Sequence, residues 1–229
     1  KWNKYAYVRN SPLLMVDRNG LDDFYVFRPI GLREGRAWQN VRAMAKANNH
    51  RLFLYSGSQA SAERFNSALQ TKGAHVIFTG HTIFNTDKKA GSLILAGDKP
   101  LGKFGIPPAD SSGSWTHPTG PIPNPSSQTL AVFGCFSATL PSEMSMDLSQ
   151  TTYVGLTTYT EAYAADLGAA SFIQLMMNGD SVGEAAEGAQ EQMQSRTTDV
   201  NEQIKNDPQQ EPYKQPEVKV CTSGTTPCN

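Results

Sequence analysis

A chain of 229 residues with 38% hydrophobic side chains is long enough for one substantial core. Its formal net charge of −1 creates no basic field, which argues against nucleic acid as a partner. No apolar run approaches the roughly 20 residues of a membrane helix and no signal peptide opens the sequence, so a soluble protein without a membrane partner is expected. Three cysteines do not make a disulfide scaffold, and His and Cys do not cluster at metal-ligand spacing, so no metal or other cofactor is expected.

The chain opens with WNKYAYVRNSPLLMVDRNGLDD. On its own residues this is a Tyr-rich β-hairpin with an Asn-Gly turn. It also resembles the end of the core of RHS-repeat proteins, which closes with Y-x-Y-V-x-N-x-P followed by P-x-x-x-x-D-P-x-G-L. The matching residues are Tyr5, Tyr7, Val8, Asn10 and Pro12, then Asp17, Gly20 and Leu21, with Arg18 standing where the family has proline. The resemblance implies that residues 1–23 close a shell, with Asp17, Gly20 and Leu21 as an autocleavage motif cut after Leu21. It further implies that a variable C-terminal effector follows, carried by a bacterial protein that is secreted or delivered into a target cell. The shell of the parent chain and a cognate immunity protein would be its partners.

From Phe24 the effector part follows its own pattern. Phe24–Pro29 is a strand candidate, and Trp38, Val41, Met44 and Ala45 fall at helical spacing within Gly35–Asn48. The next strand is Arg51–Tyr55, with Ser56-Gly57-Ser58 as turn and N-cap for a helix over Ala60–Lys72 that Gly73 ends. The strand His75–Thr79 follows at once, so a βαβ unit and a parallel sheet are expected. Ser92–Ala96 reads as a hairpin strand returning over Lys99–Ile106. The proline-rich stretch 107–128, which holds His117, reads as a loop that covers or gates a site or else is disordered.

Thr129–Thr139, TLAVFGCFSAT, organises the rest. Leu130–Phe133 is an unbroken apolar run typical of a buried parallel strand, and it stops at Gly134-Cys135. The strand His75–Thr79 stops in the same way, at Gly80-His81. Catalytic groups of open α/β sheets gather at the carboxyl ends of the strands, so parallel neighbours would face Cys135 and His81 across one crevice. Thr152–Thr157 is a further strand. A helix over Thr160–Asn178 has a wide apolar face, and a second spans Val182–Gln194. Beyond Ser195 a polar tail, 196–229, wraps the surface or is disordered. Within it, Cys221 and Cys228 either close a small loop or stay as two exposed thiols.

The expected fold is α/β, a mostly parallel sheet with helices on both faces and one core with long loops. The order of these features over 51–193 resembles the caspase-like cysteine peptidases, and most closely their CHAT branch. The residues that carry the resemblance are Thr79-Gly80-His81, Gly134-Cys135-Phe136-Ser137 and Asn178-Gly179-Asp180-Ser181-Val182. Thr82 stands where that branch usually has glycine. The resemblance implies a caspase-like domain over 24–195.

In residue terms, Cys135 would attack a peptide carbonyl to give a thioester while His81 protonates the leaving amine. The N–H groups of Cys135 and of Gly80 or Thr82 would hold the oxyanion. Glu161, Asp166 and Asp147 are candidates for a pocket that takes a basic side chain of a protein substrate, or else are solvated charges. Deaminase, H-E-x-x-H, G-x-S-x-G and P-loop patterns are absent. The leading expectation is a cysteine endopeptidase serving as the toxin of an RHS protein. The alternatives are a catalytically silent caspase-like binding module and an effector of another activity.

Overall fold

The computed structural model describes residues 22–85, 90–96, 99–102, 120–207 and 209–222. The RHS-like motif with Asp17, Gly20 and Leu21, as well as His117 and Cys228, lies outside the described residues.

Apolar runs with branched and aromatic side chains make five strands of the main sheet, joined at its edge by the short β9, in the order β2-β1-β3-β7-β8-β9. These are β1 (Asp23–Arg28), β2 (Arg51–Ser56), β3 (His75–Thr79), β7 (Thr129–Phe133), β8 (Thr152–Leu156) and β9 (Val218–Cys221). The first five are parallel, and β9 alone runs antiparallel, along β8. β4 (Thr82–Asn85), β5 (Ala90–Leu95) and β6 (Lys99–Gly102) form a separate antiparallel sheet.

Helices cover both faces because β3 and β7 are apolar on both. Ile77, Ala131 and Phe133 pack with Trp38 and Val41 of α1 (Arg36–Ala47). The same cluster holds Phe172 and Ile173 of α4 (Ala162–Met177) and Ala189 of α5 (Val182–Ile204). Val76, Phe78, Leu130 and Val132 face the other way, onto Phe65 and Leu69 of α2 (Ala62–Leu69) and Leu140 of the short α3 (Leu140–Glu143). This is a mixed, mostly parallel α/β sheet flanked by helices, consistent with a caspase-like arrangement.

Several boundaries differ from the sequence reading. The cap of α2 is Ser61, whose hydroxyl accepts from the Arg64 N–H, while Gly57–Gln59 is a 3-10 turn. α5 continues to Ile204 because Met193, Thr197 and Val200 keep a buried face at helical spacing. The segment after it returns along that helix. Asn201 exchanges two bonds of 2.8 Å with the backbone of Tyr213. The Gln190 side chain accepts from the Val218 N–H at 2.7 Å, which sets β9 in place as an edge strand. Cys221, at the end of β9, is disulfide-bonded.

Candidate active site

β3 and β7 are adjacent and parallel, with Thr79 opposite Phe133. The pairing runs one step beyond the strands, since the Gly80 N–H donates to the Phe133 carbonyl at 3.3 Å. His81 and Cys135 each follow two residues after these strand ends, at the carboxyl edge of the sheet. His81 is exposed and Cys135 half-buried.

The approach of the two strand ends needs glycine at 134. A Cβ there would lie 2.5 Å from Thr82 Cγ2 and 3.0 Å from the Gly80 carbonyl oxygen. Thr82 itself is an ordinary β4 residue with no positive φ, and its hydroxyl donates to the Cys135 carbonyl. Thr82 therefore clips the start of β4 to the turn that follows β7.

The turn after Cys135 is held rigidly. Phe136 adopts the left-handed conformation at φ 54°, a conformation that bulky residues keep only when their surroundings impose it. Its N–H donates to the Thr158 carbonyl at 3.3 Å. The buried Ser137 hydroxyl donates to the Val132 carbonyl at 2.6 Å and accepts from the Leu156 N–H at 2.9 Å, which ties β7 to β8. The Tyr153 hydroxyl donates to the Ser137 carbonyl at 2.6 Å. Burial pushes that phenol far above its ordinary range, against the opposing pull of the Ser137 bond, so it remains a donor.

The Cys135 thiol is free of disulfide and its Sγ lies 3.7 Å from the Thr160 carbonyl oxygen, to which it donates. Thiol and imidazole are thus on one edge but not hydrogen-bonded to each other. Among the described residues nothing accepts the Cys135 N–H, which leaves it available as an oxyanion donor. The Gly80 N–H is committed to the β3–β7 ladder, which corrects its expected oxyanion role.

The three acidic pocket candidates do not converge on the thiol. Asp166 is 3% exposed and its carboxylate takes a fork of two 2.8 Å bonds from Arg28, with a third at 2.8 Å from the Trp38 indole. It is neither a pocket acid nor a solvated charge, because it is buried and bonded to Arg28 and Trp38 inside the core. Asp147 sits at the opposite edge of the sheet: its N–H donates to Asn124, just upstream of β7, and its carboxylate accepts from the Ser149 N–H. Glu161 is at the carboxyl edge, yet its two oxygens cap α4 through the N–H groups of Tyr163 and Ala164, at 3.0 and 2.9 Å. Arg196 adds an ion pair at 3.7 Å.

Sequence reasoning missed the Thr160 carbonyl, the Thr82–Cys135 clip and the Phe136–Tyr159 ring pair. All three are contacts between separate loops, and no local pattern encodes them. Among the described residues no group of three or more His, Cys, Asp or Glu side chains could hold a metal, and no helix is long and apolar enough to cross a membrane. No protein-family model and no curated protein sequence matches the chain.

Proposed function

We propose that this chain is a cysteine endopeptidase of caspase-like type, acting as the C-terminal toxin of an RHS-repeat protein. The observation that supports the peptidase reading best is the β3–β7 register, by which two neighbouring parallel strands end in Gly-His and Gly-Cys at one open edge. The toxin reading and secretion or delivery into a target cell rest on the RHS-like motif, as do the shell and immunity partners.

In the proposed reaction the Cys135 thiol passes its proton to the His81 imidazole as the sulfur bonds to the scissile carbonyl carbon, and the carbonyl electron pair moves to oxygen. The Cys135 N–H stabilises that oxyanion. Collapse breaks the C–N bond, and the amine leaves with a proton from the His81 imidazolium. Water then hydrolyses the thioester and returns the thiol. The substrate carbonyl occupies the space between the two groups, so a direct thiol–imidazole bond in the free protein is not required.

The thiol's contact with the Thr160 carbonyl favours a second reading, a silent caspase-like module that binds a partner. One experiment separates the two: growth of cells expressing the parent, Cys135→Ala or His81→Ala, alongside cleavage of a proteome-derived peptide library by the purified proteins. Under the peptidase reading both substitutions lower cleavage by several orders of magnitude and abolish toxicity. Cys135→Ala that stays as toxic as the parent would establish the binding module instead.

A further inference from the structure

We infer that the Cys135 site, if a peptidase, selects a large apolar side chain next to the scissile bond, bound against the Phe136–Tyr159 ring pair; the inference rests on the proposed function above. Five large hydrophobic side chains are exposed among the described residues: Ile30, Tyr159, Tyr163, Tyr213 and Val220. The first three follow the carboxyl ends of β1 and β8 or stand on the first turn of α4, so apolar exposure concentrates at the edge that carries Cys135.

Tyr159 is the most exposed of them, at 64%. Its ring stands edge-on to Phe136, with centroids 4.6 Å apart. Phe136 directly follows Cys135, and Thr160, whose carbonyl the thiol contacts, directly follows Tyr159. The two rings thus belong to residues that adjoin, in the chain, the thiol and the carbonyl it contacts. A ring held in place while open to water loses little freedom on binding and gains by covering apolar surface.

Charge does not compete with this on the described segments next to the ring pair. In segments 29–35, 134–139 and 157–161 the acidic residues are Glu34 and Glu161. Glu34 takes a fork of bonds from Arg42, at 2.7 and 3.1 Å, and Glu161 is occupied by the α4 cap. No unpaired carboxylate on these segments is left to receive Lys or Arg.

Tripeptide aldehydes ending in Phe, Arg or Asp test the inference without turnover. The thiol adds across the aldehyde, sulfur to carbon and proton to oxygen, and so shields Cys135 from iodoacetamide, read by peptide mass spectrometry. The Phe aldehyde is expected to protect Cys135 at a concentration on the order of tenfold lower than the Arg or Asp aldehyde. Tyr159→Ser should narrow that gap, whereas Tyr213→Ser, on the distant C-terminal segment, should not. Protection by the Arg or Asp aldehyde at lower concentration, or a Phe preference untouched by Tyr159→Ser, overturns the selectivity alone. If no aldehyde protects Cys135, the peptidase reading falls and the selectivity with it.

Discussion

Strand β3 begins at one histidine and is followed, two residues past its end, by another, and the two meet opposite fates. At the amino edge His75 is buried, with Nδ1 3.1 Å from the Thr129 hydroxyl and its ring stacked on Phe24 at 4.9 Å. Asp22 reaches its other nitrogen at 3.9 Å, and His50 closes the cluster through the Asp22 N–H and the Met177 carbonyl. At the carboxyl edge His81 is exposed, and among the described residues its ring has no hydrogen bond or ion pair. The two histidines are six positions apart in the chain, at most roughly 20 Å at the usual strand rise. Residue type does not distinguish the two histidines; what does is the set of groups each edge brings within reach. The closed edge ties its histidine into a network, and the other edge leaves a thiol, an exposed imidazole and, among the described residues, a Cys135 N–H with no acceptor.

The largest expected effect comes from the clamp that holds β1, α1 and α4 together beneath the open edge. Asp166→Asn leaves the Arg28 guanidinium buried without its counter-charge, and urea unfolding should show a loss of about 3–5 kcal/mol. Arg28→Met combined with Asp166→Leu should recover much of it, since the charge that needed pairing is gone. A single substitution within error of the parent would mean that the open edge does not depend on this clamp.

A smaller effect is expected at the strand crossing. Gly134→Ala drives a methyl group into Thr82, with a predicted loss of about 1–3 kcal/mol and a drop in any Cys135-dependent cleavage. Adding Thr82→Gly should restore part of both, because it removes the atoms nearest the new methyl. Lack of rescue would place the strain on the Gly80 carbonyl instead.

Acid tests the closed edge. Burial raises the Asp22 carboxyl, but its hydrogen bond to His75 and the charges of His75 and His50 outweigh this and hold it below the ordinary aspartate value. A depressed folded value means that the contribution is present above the unfolded aspartate pKa and is lost as pH falls through the folded one. Thermal unfolding of Asp22→Asn should therefore fall less steeply with acid than that of the parent, and identical slopes would remove Asp22 from the account. The smallest effect belongs to Asp147→Asn. Its carboxyl is held low by the Ser149 N–H on its own loop, at the edge away from Cys135, so cleavage should match the parent.

The strands that position the site were legible because each is a short apolar run punctuated by glycine or a polar turn. β3 and β7 fall where the runs His75–Thr79 and Leu130–Phe133 put them, and Gly80-His81 and Gly134-Cys135 mark their ends. β9 was not legible: Val218–Cys221 is too short and polar to announce a strand, and it is placed by β8 and by the Gln190 side chain. The acidic residues were the least legible. Sequence shows that Asp166 lies on a helix but not that Arg28, 138 residues away in the chain, meets it in the core.

The central claim is that Cys135 is a nucleophile served by His81. A peptidyl acyloxymethyl ketone reports on it directly, because a thiolate displaces the carboxylate and leaves a stable thioether that tryptic mass spectrometry locates. The account predicts an adduct on Cys135 in the parent, formation on the order of tenfold slower in His81→Ala, and an unchanged rate in Asp147→Asn. No adduct on Cys135, or labelling as fast without His81 as with it, would contradict the claim.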